Sequence, residues 1–378
     1  MPLIPVLRVL LMLVSLAILA ASGYLFWSWW EGELVTAPDG VLVRTRDDWR
    51  LWVAIALLAW SFLGRLLTPL IVARRDTDPT KPKRDGGRMI EGGSGSLLYV
   101  ESHGEAAGPT LILTHGWGLD STIWSYARRD LASRFRVLTW DLPGLGRSKP
   151  APGGRPNLSD FAADLHSLVE LAGGPVVLVG HSIGGMTIQT LARDYPETFG
   201  KQVVGVVLLN TTYTNPLKTM VLSGLAQAIR WPLLEPMMRL AIWLQPLAWL
   251  GAWQSYLSGS AHLANRIGFG RHVTRSQLEH TTLLATRNPP GRQAQGNLAM
   301  FRWDATDALA GLPAPALVIG GDMDIVTKLE ASRRIVARAP GATLLTVGGV
   351  NHMGFLERAD VYNAAIAEFA GARLAQQV

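Results

Sequence analysis

Apolar positions along this chain follow two different patterns. Up to about residue 73 they come as long runs; from about residue 95 they come as short runs separated by helix-period stretches. The first long run, VLLMLVSLAILAASGYLFWSWW at 9–30, holds no charge and is long enough to cross a hydrocarbon core of about 30 Å. Arg8 ahead of it and the LAA within it would suit a cleaved signal. The run continues past that point into Tyr24, Phe26, Trp27, Trp29 and Trp30, an aromatic cluster suited to a bilayer interface, so an uncleaved anchor is expected. A second run, LWVAIALLAWSFLGRLLTPLIV at 51–72, carries one charge, Arg65, near enough to its far end for the head group to snorkel. Trp49 and Trp52 open this segment, so both spans put tryptophans beside the 31–50 loop, as a helical hairpin would. Arg65 and Pro69 leave an interfacial or buried helix as the alternative for this segment.

Beyond the anchor, assigned to 1–73, RRDTDPTKPKRDGG opens a basic, Pro- and Gly-rich stretch expected to be a linker over 74–94. The short runs then begin: GSLLYVES, TLILTHGWG, FRVLTWDLPG, GPVVLVGHS, VVGVVLLNTT, APALVIGGD and ATLLTVGG. Helical stretches such as LSDFAADLHSLVELAG and GMTIQTLARDYPETF lie between them. Buried strands alternating with helices predict an α/β fold with a mostly parallel sheet covered on both faces. Ligands of such sheets bind at the carboxyl ends of the strands. The core is assigned to 95–213 and 300–378, and an apolar helical cap or lid to 214–299.

The first half of that cap has four tryptophans and three methionines, and Pro232, Pro236 and Pro246 break it into short helices. With Arg230, Glu235 and Arg239 these prolines argue against a third membrane span. Its apolar faces either pack on the core or form a partly membrane-facing lid that admits an acyl chain. Trp231, Met237, Trp243 and Trp249 are the candidates for substrate contact.

Composition sharpens this picture in three ways. The chain is 48% hydrophobic, high for a wholly soluble protein, and its net charge of +6 then favours anionic lipid over nucleic acid as a partner. There is no cysteine, which excludes disulfides, thiolate metal sites and a Cys nucleophile. Arg44, Arg46 and Arg50 lie between the spans, whereas Arg74, Arg75, Lys81, Lys83, Arg84 and Arg88 follow the second. That imbalance places the N-terminus and everything after residue 73 in the cytoplasm, on the inner face of the cell membrane.

The candidate chemistry sits at the strand ends. Ser182 occupies the centre of G-x-S-x-G directly after VVLVG, where small neighbours permit a strained turn that exposes a nucleophile. The following helix aims its N-terminus at the same place. His352, directly after the last predicted strand, is the candidate general base. The loop after LVIGG offers Asp322 and Asp324 as the acid that orients it; Asp324 is favoured, with Asp322 as a turn residue. The Ile183 amide, opening the helix, and the Trp117 amide, in the loop after LILTHG, are the candidate oxyanion donors. Trp117 also suits a core-capping role. No HExxH, P-loop or dinucleotide fingerprint is present, so neither a metal nor an organic cofactor is expected.

THGWG, DLPGLGRS, GHSIGG, GGDMDIVT and NHMGFLE, in this order and spacing, resemble the α/β-hydrolase superfamily, in its esterase, lipase and C–C hydrolase branch. The resemblance spans about 95–213 and 300–375. It implies Ser182 as nucleophile, His352 as base, Asp324 as acid, and oxyanion donors at Trp117 and Ile183. One departure is Lys328, where many relatives have proline after the acid loop. The anchor ahead of this fold is similar in layout to membrane-anchored monoacylglycerol lipases. The expected function is hydrolysis of carboxylic esters with apolar acyl chains, monoacylglycerol- or lysolipid-like. A C–C hydrolase of the meta-cleavage type and a non-catalytic hydrolase-fold membrane protein are the alternatives.

Overall fold

The computed structural model describes residues 3–105, 107–312 and 314–377. Two long helices lead the chain, α1 (Leu3–Glu31) and α2 (Asp48–Val72), joined by a two-stranded hairpin of β1 (Glu33–Thr36) and β2 (Leu42–Thr45). An 18-residue window of α1 within Val6–Glu31 has a mean hydropathy of 2.4, and one of α2 a mean of 1.9, so both helices are long and apolar enough to cross a membrane. At 29 and 25 residues they extend about 44 Å and about 38 Å. They run antiparallel: Ser22 donates to the Ala54 carbonyl, and Trp29 to Asp48 nearer the hairpin. At the hairpin end the Arg46 guanidinium lies over Trp29 and Trp30, while Arg50 pairs with Glu33 and Asp47. The 31–50 segment, expected to be loop, thus forms a hairpin, and Pro38-Asp39-Gly40 between Leu/Val pairs is its turn signal.

The eight-stranded sheet begins within the stretch expected to be linker, at β3 (Arg88–Glu91). It continues with β4 (Leu97–His103), β5 (Thr110–Thr114), α3 (Ser125–Leu131), β6 (Arg136–Trp140), α4 (Leu158–Ala172), β7 (Val176–His181), α5 (Ile183–Asp194) and β8 (Val203–Leu209). After the cap, β9 (Ala316–Gly321), α13 (Leu329–Arg338), β10 (Ala342–Val347), α14 (Gly354–Glu357) and α15 (Ala359–Leu374) complete it. The cap itself is α6 (Pro216–Thr219), α7 (Ser223–Ala228), α8 (Glu235–Trp243), α9 (Gln245–Leu257), α10 (Ser260–Arg266), α11 (Arg275–Arg287) and α12 (Pro290–Met300). The strand order is β10-β9-β8-β7-β5-β6-β4-β3, with β4 antiparallel to both its neighbours, β6 and β3, and every other pair parallel.

The central strands β5, β7, β8 and β9 are buried at every position because each face is covered. Ile112, Leu178 and Leu208 face one core with Phe161 and Leu165 of α4. Their neighbours Leu113, Val179 and Leu209 face the other, with Trp124, Tyr362 and Ile366. The period of two along a strand thus distributes one unbroken run between two cores. The stretch before the sheet is tied down as well: Arg84, partly buried, pairs with Asp120 and Asp141, and Thr80 meets Tyr126.

The long helices lie against the cap. Ser15 of α1 hydrogen-bonds Ser258 and Ser260, and Ser61, Gly64 and Thr68 of α2 are buried against α9 and the α9–α10 turn. Gly64 is required there, because a Cβ would run into the Ser258 carbonyl. Arg65 does not snorkel. Its guanidinium is 3.6 Å from Glu279 and lies over the Tyr256 ring, in a cluster where Glu279 also accepts from His262. A charge within an apolar helix is thereby met by protein partners.

Candidate active site

Ser182 links β7 to α5 with φ 53° and ψ −116°, a conformation disfavoured for any residue with a Cβ. The turn closes only because glycine flanks it: a Cβ at Gly180 would strike the Gly184–Gly185 backbone, and one at Gly184 the Thr114 carbonyl. The Ser182 amide donates to the Leu209 carbonyl, and Thr211 Oγ1 donates to the Ser182 carbonyl at 2.6 Å. The hydroxyl is thus held by backbone anchored in the neighbouring strand.

His352 Nε2 is 3.0 Å from Ser182 Oγ, and His352 Nδ1 is 3.1 Å from Asp324 Oδ2. Asp324 is buried; Asp322 is exposed and accepts the Gly349 amide, as a turn residue does. The Asp324 carboxylate also accepts from the Val326 and Thr327 amides, the Thr327 hydroxyl and the Asn210 amide. Burial opposes its ionisation, but the His352 charge and these donors outweigh it and hold the carboxyl below the ordinary carboxylate range. Lys328 adopts φ −49°, close to the angle proline imposes, so the acid loop keeps its course without one.

Trp117 and Ile183 stand at the two expected donor positions, in the β5 loop and at the first residue of α5. Neither amide has an acceptor among the described residues. His115 fixes the loop. The Leu142 amide donates to its Nε2, so its proton is on Nδ1, which donates to the Gly116 carbonyl at 2.8 Å. The Trp117 indole donates to the Gln293 carbonyl and packs on Phe161 and Gly296, so the side chain joins core to cap as well.

The model of the Alpha/beta hydrolase family matches residues 111–365. The chain belongs to this family. Its curated relatives include the pimeloyl-[acyl-carrier protein] methyl ester esterase of Nitrosospira multiformis, 27% identical over 285 residues, covering 72% of this chain and 98% of the relative. A 2-hydroxy-6-oxononadienedioate/2-hydroxy-6-oxononatrienedioate hydrolase of Burkholderia vietnamiensis is also 27% identical, over 289 residues, covering 74% of this chain and 93% of the relative. Among solved structures, an esterase from Rhodococcus sp. has the same fold at a TM-score of 0.62 and 21% identity, covering 76% of this chain and 99% of that one. Both α1 and α2 precede the residues matched by the family model.

In this α/β hydrolase two adjoining cavities meet beneath the cap. The smaller, about 120 Å³, contains Ser182 and His352 with Gly116, Trp117 and Met353. The larger, about 380 Å³, is apolar, lined by Met12 and Leu16 of α1 together with cap residues such as Met237, Leu240 and Leu244. Of the four lid candidates, Met237 alone lines it. Trp231 and Trp243 turn outward, 63% and 78% exposed, and Trp249 donates to the Thr286 carbonyl. An apolar composition makes these tryptophans candidates for substrate contact but does not say which helix face is inward. Leu233 and Leu250 are exposed with them, leaving the cap an apolar outer surface.

Sequence reasoning missed three bracing residues. Asn210, at φ 44° after β8, spans Asp324 and the Asn351 carbonyl and is itself held by the Tyr362 hydroxyl. Asn351 accepts from the Ile325 and His352 amides, tying the acid loop to the base loop. Glu357 accepts from the Gly270, His272 and Asn351 amides. Asn351 and Glu357 lie within the NHMGFLE motif and Asn210 within LLNTT, so a buried polar residue at a strand end was the signal available.

His115 and His181 are fully buried, and His181 donates to the His352 carbonyl. Burial pushes the pKa of both down, aided at His181 by the neighbouring His352. The unfolded chain, where such groups titrate near 6.5, binds more protons than the native state below that pH. Stability is therefore complete above pH 6.5 and falls on acidification, by up to about 1.4 kcal/mol per pH unit for each group. Denaturation midpoints between pH 7.5 and 5 are expected to fall, and His181→Gln to flatten part of that slope. A pH-independent midpoint would contradict the neutral buried state.

Proposed function

We propose that this α/β hydrolase is a membrane-anchored serine esterase cleaving carboxylic esters of apolar acyl chains, in the manner of a monoacylglycerol or lysolipid hydrolase. The observation that carries this reading is the apolar cavity of about 380 Å³ opening beside Ser182 and walled by both cap and α1. A straight acyl chain supplies the apolar surface such a cavity would bury. The exposed tryptophans and leucines of the cap support a lid that rests in lipid.

In the first step His352 Nε2 takes the Ser182 proton as Oγ attacks the ester carbonyl. The oxyanion is received by the Trp117 and Ile183 amides, and Asp324 balances the imidazolium. Collapse breaks the ester C–O bond, and His352 returns the proton to the departing alkoxide. Water then adds to the acyl-enzyme with His352 again taking a proton; the fatty acid leaves and Ser182 is restored. Two spans place the N-terminus and the catalytic domain on the same side, which the basic residues after α2 favour as the cytoplasmic one. The chain has no cysteine, so single-cysteine variants at residues 39 and 378, labelled in intact cells and in lysates with an impermeant maleimide, read that orientation directly.

The test is turnover of a p-nitrophenyl ester series from acetyl to palmitoyl by the full chain in detergent. An optimum at about six carbons or more is expected, since each buried methylene contributes about 0.8 kcal/mol. An acetyl optimum, or cleavage of a dienoic diketone without any ester turnover, would overturn the reading.

A further inference from the structure

Arg8 belongs to the anchor helix α1, yet it borders both cavities, the one holding Ser182 and the apolar one beside it. An arginine near the end of a span ordinarily reaches out to lipid headgroups. Here Nη2 instead donates to Asn265 Oδ1 of cap helix α10 at 2.6 Å. Asn265 also borders both cavities, and its own amide donates back to the Ala261 carbonyl. Among the described residues no carboxylate lines either cavity, and Arg8 has no acidic partner within ion-pair distance. A guanidinium offers five N–H donors, and one of them meets a neutral amide. A cation left without a counter-charge among apolar walls is costly to hold. It is retained at low cost only if an anion arrives with the substrate.

We infer that Arg8 and Asn265 form an anion-binding subsite at the junction of the two cavities, selecting esters that carry a carboxylate or phosphate beside the scissile bond. This rests on the esterase reading above and specifies its substrate class. An acyl chain filling the apolar cavity has no place for charge along its length. The anion therefore sits on the alcohol, close to the ester, as it does in a single-chain acyl glycerol phosphate. The fork of an arginine matches both carboxylate and phosphate oxygens in two parallel hydrogen bonds. The residue comes from α1, so the anchor supplies part of the substrate site as well as membrane attachment.

The experiment compares three decanoyl esters that differ only in the alcohol: decanoylglycerol, decanoylglycerol phosphate and decanoylglycerate, with the full chain in neutral detergent micelles. Wild type is expected to favour both anionic esters in kcat/KM by about 10- to 100-fold, as one charge-assisted pairing provides. Preference for one anion alone identifies phosphate or carboxylate as the natural group. Arg8→Gln is expected to bring the anionic-to-neutral ratio close to one, chiefly through KM, and Arg8→Lys to keep part of it. Asn265→Asp, which gives Arg8 a built-in carboxylate partner, is expected to lower the same ratio while leaving the arginine in place. An equal loss on all three esters, or a wild type without anionic preference, overturns the subsite. Binding of decyl phosphate against decanol to the Ser182→Ala protein reads the subsite without turnover. Retained anion selectivity there, with no hydrolysis of any ester, would sink the esterase reading and leave the subsite standing.

Discussion

Ser182→Ala is expected to abolish labelling by a fluorophosphonate and to lower ester turnover about a million-fold, the loss typical of removing such a nucleophile. The expectation rests on geometry: Ser182 Oγ lies 3.0 Å from His352 Nε2 in the smaller cavity, and Nδ1 of the same ring is held by the buried Asp324 carboxylate. The substitution leaves the turn intact. Alanine meets the same backbone cost at φ 53° as serine does, and the amide bond to Leu209 and the Thr211 bond to the Ser182 carbonyl involve main chain of residue 182 only. A change in thermal midpoint is therefore expected to be small, so lost labelling reads chemistry rather than unfolding. Labelling that persists in the variant would place the nucleophile elsewhere.

Asp324→Asn is expected to lower kcat about ten-thousand-fold, by allowing the wrong His352 tautomer. Five donors converge on this carboxylate: the Val326 and Thr327 amides, the Thr327 hydroxyl, the Asn210 side chain and His352 Nδ1. An asparagine fits them in neither orientation. With its NH₂ in place of Oδ1 it faces two backbone amides; in place of Oδ2 it faces Asn210 and the imidazole. The second arrangement is the less costly, because His352 can move its proton to Nε2, and there it no longer accepts from Ser182. Asp322→Asn is the control, since Asp322 is exposed and its carboxylate accepts only the Gly349 amide among the described residues. It is expected to keep activity within a few-fold, measured as kcat on the same ester. Equal losses in the two variants would mean that loop geometry, not His352 orientation, limits the reaction.

The sheet and the trio Ser182, Asp324 and His352 were legible because their signals are local. Each lies where a run of apolar residues stops, and a strand end can be read from a dozen residues. β3 was not legible: Arg-Met-Ile-Glu is short, flanked by glycine and charge, and becomes a strand only by pairing with β4. The partner of Arg65 was equally hidden, since Glu279 and Tyr256 lie far downstream in the cap. So was Arg8, which reads as an ordinary flanking charge until the fold carries it to the cavity. The tryptophans of the cap are plain in its composition, but only the packing of α8 and of the turn before it decides that Trp243 and Trp231 face outward. What sequence missed is what long-range packing decides.

The docking of the cap on α1 and α2, through Ser15, Gly64 and their partners at Ser258 and Ser260, has a consequence for how such an enzyme would be fed. With that seam beside two spans, as proposed above, the larger cavity would open into one leaflet, and its reservoir would be a two-dimensional fluid. The quantity that governs rate is then the mole fraction of ester among its lipid neighbours. Adding inert lipid at constant bulk ester dilutes the surface and slows turnover, whereas concentrating the vesicles leaves the rate per enzyme unchanged.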